Sequence, residues 1–287
     1  MMQSEQEGQR NLQQSGAAGQ RNTQHATNIK KRSMRRKKAR RMRRIKRIFV
    51  AAIILLVVFA ASRISFVQGF LNHWNVKSEA TLTAEGYPES LVQLYEKNEE
   101  ARQFVLDYKK NGNNEQPIDI SSDVVDGKIP LFLQWDERWG YRTYGDNFLA
   151  ITGCGPTALS MVYVGLTGDT SMNPYAVAQM AQEDGFYVNG SGSSWSMMTE
   201  LATKLGLSAQ ELSLNEDSIR QELSQGHPII CIMGPGDFTT SGHFVVLTGV
   251  DSEGKITVND SNSKKNSNKA WKIEDLMSQI RDLWVYQ

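Results

Sequence analysis

The sequence predicts an α+β protein whose folded domain is preceded by a single transmembrane helix and a short helical stalk. An apolar run follows a strongly basic stretch near the N-terminus, and an amphipathic helical pattern comes next. Helical segments then give way to strand-like segments towards the C-terminus. We therefore expect a tail at 1–47, a membrane segment at 48–67, a connector at 68–120 and a folded domain at 121–287.

Charge is distributed unevenly along the 287 residues. Residues 1–47 carry 15 Lys and Arg but 2 Asp and Glu, whereas residues 48–287 carry 17 and 29. The two parts therefore have net charges of +13 and −12, although the whole chain sums to +1. This asymmetry predicts that the two parts lie in different surroundings.

A run of 14 apolar residues, Ile48 to Ala61, directly follows the basic stretch. Extended to Val67 the segment has about 20 residues, enough to span a bilayer if Arg63 snorkels to the interface. A cleavable signal peptide, cut after residues 58–60, is the alternative, but the long stretch before the run favours an uncleaved signal-anchor. In both cases we expect a cytoplasmic N-terminus and an extracellular C-terminal domain, a single-pass protein of the cell membrane.

The tail contains 13 Lys and Arg within residues 30–47, a positive charge density that is also typical of nucleic-acid binding. Its position against the apolar run favours instead a topology signal that touches anionic lipid headgroups, so we expect no nucleic-acid partner. Residues 1–29 are rich in Gln, Ser, Gly and Asn, with too few apolar side chains to form a core, and we expect them to be disordered.

Within the connector, apolar residues recur at three- and four-residue spacing after Tyr87: Leu91, Leu94 and Tyr95, then Phe104, Val105 and Tyr108. This spacing predicts a short amphipathic helical pair. We expect it to pack on the folded domain and to have no catalytic role.

The segment TGCGPTALSM places Cys154 between two glycines, just before a helix-start proline at 156 and a helix that is apolar nearly all round. Cys154 is therefore expected at the N-terminal end of a buried helix. There the helix dipole stabilises an anion and lowers the pKa of a thiol, which favours the nucleophilic thiolate.

Three other roles for this cysteine stay open. A buried structural cysteine is common, and Cys231, inside the apolar strand PIICIMG, fits that description well. A Cys154–Cys231 disulfide is the second alternative, since the domain is expected outside the cell. Zinc ligation by Cys154 and His243 is a weak possibility because no CxxC or HxxxH pair accompanies them.

Of the four histidines, His243 is the candidate base, because it opens the strand HFVVLTGV directly after the loop GPGDFTTSG. His25 and His73 lie in the tail and beside the membrane, and His227 is expected to be a solvated loop residue. If Asp251 pairs with Gly254 in a two-residue hairpin, Asp260 lies on the same face as His243 and can orient the imidazole. The other interpretation of Asp260 is a polar turn.

Taken together, the ordered motifs resemble the bacterial papain-fold cysteine peptidases of the family-thirty-nine-like group, relatives of the bacteriocin-leader-processing peptidases. The motifs are QWDERWGYRTYG, TGCGPTALSM, GSGSSWSMMTELATKLG, GPGDFTTSGHFVVLTGV and VNDSNS. The resemblance covers about residues 86–287 and implies a papain-like fold. It also implies that Cys154 is the nucleophile, His243 the general base and acid, and Asp260 the residue that orients it.

The same resemblance implies Gln134 as the side-chain donor of an oxyanion hole, beside the backbone N–H of Cys154. Three tryptophans, Trp135, Trp139 and Trp195, are then core or cleft-wall residues, and we expect core for each. Ser261 stands where the family pattern has proline, which we expect to loosen the turn.

The predicted activity is acyl transfer through a thioester, in which an extracellular peptide or amide bond is cleaved with no metal or cofactor. The enzyme alternative is a wall-peptide amidase. The alternative of another class is a non-catalytic, membrane-tethered module that binds a peptide or a wall component.

Overall fold

The computed structural model describes residues 77–113 and 115–287, so the tail and the predicted membrane segment lie outside the described residues. Within those two ranges, no helix is both long and apolar enough to cross a bilayer. Residues 77–287 form one compact unit. The predicted boundary between connector and domain near residue 120 stays a prediction.

Helices dominate the first part of this unit and recur between the strands. Their bounds are α1 Glu79–Ala84, α2 Glu89–Lys97, α3 Arg102–Asn111, α4 Leu149–Thr152, α5 Cys154–Thr167, α6 Pro174–Glu183, α7 Met197–Lys204, α8 Glu216–Ser224, α9 Lys264–Ser267 and α10 Ile273–Met277. A 3-10 turn at Glu99–Ala101 joins α2 to α3.

The strands form two small hairpins and one five-stranded antiparallel sheet. The hairpins are β1 Thr143–Tyr144 with β2 Asn147–Phe148, and β3 Tyr187–Val188 with β4 Gly192–Ser193. The sheet contains β5 Ala209–Glu211, β6 Ile229–Met233, β7 His243–Val250, β8 Ile256–Asp260 and β9 Ile280–Tyr286, in the order β5-β9-β6-β7-β8. Helices first and an antiparallel sheet last is the predicted α+β arrangement.

Both faces of this sheet are covered, which explains why PIICIMG shows no polar alternation. Ile230 and Ile232 of β6 belong to the core cluster that contains the buried side of α5. Cys231 and Met233 belong to a second cluster, which α8 and α10 close on the opposite face. A strand buried on both faces is expected to be a continuous apolar run.

A third cluster joins the stalk helices α1 to α3 to the rest of the unit. Stalk side chains such as Leu91 and Phe104 pack there with Leu133, Trp135 and Tyr141. The Phe104 and Tyr141 rings stack at a centroid distance of 4.1 Å, and the Tyr141 hydroxyl donates to the Phe104 carbonyl oxygen at 2.6 Å. The prediction of a helical pair that packs on the following domain is confirmed.

Candidate active site

Cys154 is the first residue of α5, as predicted from the glycine and proline around it. Its sulfur accepts hydrogen bonds from the backbone N–H groups of Gly155 and Phe244, at the helix start and in β7. A Cβ on Gly155 would lie 2.7 Å from the Ser193 hydroxyl oxygen, so glycine is needed where the β3–β4 hairpin approaches this turn. The residue is partly exposed and forms part of the wall of an open cleft.

Next to this sulfur, the imidazole of His243 lies between the thiol and a carboxylate. Its Nε2 is 2.7 Å from Oδ1 of Asp260, and its ring hydrogen-bonds the Cys154 side chain. Because Asp260 occupies Nε2, Nδ1 is the nitrogen left for the thiol. The structure thus brings together three of the four candidate residues in a linear array.

Strand pairing explains why Asp260 reaches His243. Val245 pairs with Asp260, so Asp260 and His243 share a face of the β7–β8 pair, and this prediction is confirmed. The predicted two-residue turn is wrong, because Asp251 N–H donates to the Lys255 carbonyl oxygen across a three-residue loop. The longer loop shifts the pairing by one residue, and a bulge between Leu247 and Gly249 shifts it back before the site.

Sequence reasoning missed two donors that hold Asp260. The Asn262 backbone N–H donates to its Oδ1 at 2.8 Å, and the Asn266 side chain donates to its Oδ2 at 2.9 Å. A buried carboxylate needs such donors. The polar run DSNSKKN after β8 is the sequence signal that could have indicated them.

Electrostatics around the three residues favours their charged forms. Burial alone disfavours the thiolate, but the hydrogen bond and charge of His243 outweigh it and hold the pKa of Cys154 below its ordinary value. Burial also works against the imidazolium, yet Asp260 and Cys154 raise the pKa of His243. For Asp260, burial is outweighed by His243, Asn266 and Asn262, which hold its pKa below the usual range. The array can therefore exist as thiolate, imidazolium and carboxylate.

Gln134, the fourth candidate, is buried beside the array and does not line the cleft that reaches the sulfur. Its Nε2 donates to the Ala150 carbonyl oxygen at 2.8 Å. Its Oε1 accepts from the Ser261 hydroxyl at 3.0 Å, and its backbone N–H donates to the Ser261 carbonyl oxygen at 2.8 Å. The expectation of a loosened turn at Ser261 is wrong. This residue is fully buried, and both its hydroxyl and its carbonyl oxygen are hydrogen-bonded to Gln134.

Cys154 and His243 lie in an open cleft of about 640 Å³. Glycines of the β3–β4 hairpin and of the β6–β7 loop contribute to its walls and leave the backbone unshielded: Gly190, Gly192, Gly234 and Gly242. Trp195 is 47% exposed and lines this cleft, so the expectation that it belongs to the core is wrong. Trp135 and Trp139 are buried, as expected.

The alternatives for the cysteines are also resolved by the geometry. Both cysteines are free thiols, so the Cys154–Cys231 disulfide is wrong. Cys231 is fully buried in β6, and burial raises the pKa of its thiol. It has the properties of a structural cysteine. His227, expected in solvent, is half-buried with Nδ1 2.8 Å from a Glu222 carboxylate oxygen.

Comparison with known proteins gives one family match. The model of the Peptidase_C39 like family matches residues 127–287. Among solved structures, the peptidase domain of Streptococcus ComA, a bi-functional ABC transporter involved in a quorum sensing pathway, is 20% identical to this chain. The alignment covers 47% of this chain and 89% of that chain, with a TM-score of 0.36. No curated protein matches the chain.

Proposed function

The chain belongs to the Peptidase_C39 like family and is a cysteine peptidase-like hydrolase; from this premise we propose that it cleaves an extracellular peptide or amide bond through Cys154, His243 and Asp260. The observation that carries the proposal is the hydrogen-bonded array of these three side chains, which begins in an open cleft and ends on a buried carboxylate. A nucleophile, a base within hydrogen-bond reach and a third group that orients the base is the arrangement that acyl transfer requires.

In the proposed reaction, the Cys154 thiolate attacks the substrate carbonyl carbon and forms a tetrahedral oxyanion. The bond to the nitrogen then breaks, and His243 gives its proton to the leaving amine, which leaves a thioester on Cys154. Neutral His243 next takes a proton from water, which attacks the thioester, releases the acid and restores the thiolate–imidazolium pair. Asp260 stabilises the imidazolium throughout and keeps its proton-carrying nitrogens in place.

Two groups are proposed to stabilise the oxyanion. The backbone N–H of Cys154 lies at the start of α5, where the helix dipole favours negative charge. Gln134 is the side-chain donor that the family resemblance implies; its Nε2 carries a second hydrogen beyond the one given to Ala150, although the residue does not line the cleft.

The proposed cellular placement rests on the sequence. The apolar segment 48–67 and the charge difference across it support a bacterial membrane protein with its hydrolase domain outside the cell. Protease added to intact cells should digest the C-terminal domain and leave residues 1–47 protected. Protection of the C-terminal domain would contradict this placement.

Hydrolysis by the purified full chain in detergent micelles tests the activity. Unfolded protein and purified wall peptides serve as parallel substrates, and Cys154→Ser, with its fold checked by circular dichroism, is the control. We expect new N-termini from unfolded protein and a loss of about a thousandfold or more in Cys154→Ser. Cleavage of wall peptides alone would favour the amidase alternative, and equal product from both proteins would contradict catalysis by this site.

A further inference from the structure

The segment that joins stalk helices α2 and α3 lies outside the family match, yet it binds the loop that follows Asp260. We call residues 261–267 the Asp260 loop. The Asn98 side-chain amide donates to the Asn262 carbonyl oxygen at 2.8 Å and to its side-chain oxygen at 2.9 Å. The Glu100 carboxylate accepts from the Ser263 hydroxyl at 2.6 Å and from the Lys264 backbone N–H at 2.9 Å.

The Asp260 loop in turn supplies the donors that hold Asp260. Asn262 N–H and the Asn266 side chain bond one carboxylate oxygen each, and the first of these oxygens also bonds His243. Asn266 sits in α9, a helix of four residues. One turn of helix is not stable by itself in water, so contacts from outside must hold it.

Glu100 is one of the contacts that hold this turn, together with the Trp271 indole N–H, which donates to the Asn266 carbonyl oxygen at 3.1 Å. The Ser263 hydroxyl donates to Glu100 and can therefore accept from the Asn266 backbone N–H, at 3.1 Å, which begins α9. Glu100 also binds the N–H of Lys264, which would have no partner within the helix. Trp135 adds a bond from its indole N–H to the Asn262 carbonyl oxygen at 3.2 Å.

We propose that Glu100, with Asn98, is a positioning residue that fixes the Asp260 loop from the stalk and so keeps Asp260 aligned on His243. Neither side chain contacts Cys154 or His243, and both act through Asn262 and Asn266. The proposal rests on the proposed function, because it assigns a role in the same array.

Removal of Glu100 has a directional consequence for the thiol. If the loop loosens, Asp260 loses donors, stabilises the His243 imidazolium less and thereby raises the pKa of Cys154. A raised thiol pKa lowers the thiolate fraction at acidic and neutral pH but leaves it unchanged at high pH. A role limited to stability would lower the melting temperature without moving the pH profile of the folded protein.

The test is the pH dependence of Cys154 alkylation by iodoacetamide in the full chain carrying Cys231→Ala. Variants are Glu100→Ala, Glu100→Gln and the matched control Glu99→Ala, whose side chain is 82% exposed and 3.5 Å from Arg102. We expect Glu100→Ala to react about five- to tenfold more slowly near pH 6 and at an unchanged rate above pH 9.5. Glu99→Ala should match the parent, and Glu100→Gln, which keeps its oxygen acceptor, should lie between.

An unchanged pH profile in Glu100→Ala would overturn the proposal. If that variant does not fold, Asn98→Ala provides the same measurement, and an unshifted profile there would overturn it equally. An ordinary thiol profile in the parent protein would instead contradict the proposed function itself, so the two failures are distinguishable.

A second, independent observation concerns Arg281, which lines the cleft with Cys154 and His243. In the β6–β9 pair, Ile232 is opposite Asp282 and Met233 is opposite Ile280, so Arg281 is the extra residue of a bulge. Bulges next to active sites re-aim a side chain.

The guanidinium of Arg281 lies close to the cleft backbone and is not neutralised. A Cβ on Gly234 would be 2.4 Å from Arg281 Nε, so glycine is what permits this approach. Among residues 77–113 and 115–287, no carboxylate lies within ion-pair distance of Arg281. Asp146, the acidic residue of the cleft wall, accepts instead from the Tyr187 hydroxyl.

We infer that Arg281 is a specificity-determining residue that binds the carboxylate of an acidic side chain on the substrate peptide, an inference that also rests on the proposed function. Arginine is suited to this because its planar guanidinium can bond both carboxylate oxygens. An exposed ion pair of this kind is expected to change rates by about fivefold.

Positional peptide libraries that carry Glu, Gln or Lys at one position test this inference in the full chain. At one position we expect kcat/KM in the parent to be about fivefold higher for the Glu peptide than for the Gln peptide. The two values should be equal in Arg281→Gln. In Arg281→Glu, the Lys peptide should have a higher kcat/KM than the Gln peptide. The control Arg220→Gln, which removes an ion pair with Glu216 on α8, should keep the Glu preference. Equal rates for Glu and Gln at every position would overturn the inference.

A reagent pair gives a result even if no peptide is cleaved. At low salt, the ratio of iodoacetate to iodoacetamide alkylation at Cys154 should fall about twofold in Arg281→Gln, because the negative reagent loses an attractive charge. An unchanged ratio would overturn the cation's role at this site. Absence of all peptide cleavage would count against the proposed function alone.

Discussion

At the scale of single residues, the chemistry depends on a balance between burial and pairing. Burial of the Cys154 side chain disfavours its thiolate, and the hydrogen bond and charge of His243 reverse that effect. Cys231, buried in the same domain with no such partner, has its thiol pKa raised. The pKa of the same residue type is therefore lowered in one place and raised in the other because of its neighbours.

Removal of His243 should separate these two effects. In His243→Ala on the Cys231→Ala background, the lowering contribution is lost while burial remains. We expect the Cys154 pKa to rise to or above the ordinary free-thiol value of about 8.5. Iodoacetamide alkylation across pH measures it, and an unshifted midpoint would show that His243 does not stabilise the thiolate.

Ser261→Ala should destabilise the fold through Gln134. The substitution removes the hydroxyl that donates to the buried Gln134 Oε1 and leaves that oxygen without this donor. Loss of such a partner typically costs ~1–3 kcal/mol of unfolding free energy. Urea unfolding measures the change, and Ser252→Ala in the exposed β7–β8 turn is a matched control expected to have little effect.

At the scale of elements, the β7–β8 hairpin shows how register is set. The pairing register beside the turn differs by one residue from the register near the site. The bulge between Leu247 and Gly249 accounts for this difference. Near the site, one face of β7 carries Val245 and Leu247, which belong to one buried cluster. The other face carries Phe244 and Val246, which belong to a different cluster. A slip by one residue would exchange these faces, so packing fixes the register independently of the turn.

Gly254→Ala should therefore affect stability without affecting the site. Gly254 has φ +78°, a left-handed conformation that costs an alanine about 1–2 kcal/mol. We expect that loss in urea unfolding, with an unchanged pH profile of Cys154 alkylation. Gly249→Ala, where a Cβ meets only an ordinary contact of 3.4 Å with Thr257, is the control. A shifted alkylation profile in Gly254→Ala would contradict the independence of register and turn.

At the scale of the whole molecule, the family match and the compact unit have different limits. The family model begins at residue 127, whereas the compact unit begins at Lys77. The stalk helices supply a large share of the third core cluster and cover Leu133, Trp135, Tyr141 and Ala150. The stalk is thus part of the folded unit as well as a connection towards the predicted membrane segment.

Truncation should show this dependence. Burial of each large apolar side chain contributes about 1.5–3 kcal/mol, so loss of the stalk cluster is comparable with the whole net stability of about 5–15 kcal/mol. We expect a fragment of residues 77–287 to unfold cooperatively and a fragment of residues 127–287 to aggregate or lack a thermal transition. A cooperative transition of the shorter fragment at a similar temperature would contradict the structural role of the stalk.

The sequence by itself predicted where the proposed catalytic residues lie along the chain. A glycine and a proline around Cys154 predict the helix start, and the two-residue period of strands places Asp260 on the face of His243. Such patterns are readable because backbone geometry repeats locally, at 3.6 residues in a helix and 2 in a strand. The family resemblance then added Gln134, whose position beside Ser261 the local patterns do not predict.

Only the tertiary structure decided which distant residues contact the proposed site or line its cleft. Asn98 and Asn262 are 164 residues apart, and no periodicity predicts that one binds the loop around the other. The exposure of Trp195 and the bulge that turns Arg281 into the cleft likewise depend on how loops and strands pack together. Contacts of this kind are set by the packing of whole elements, which local propensity does not specify.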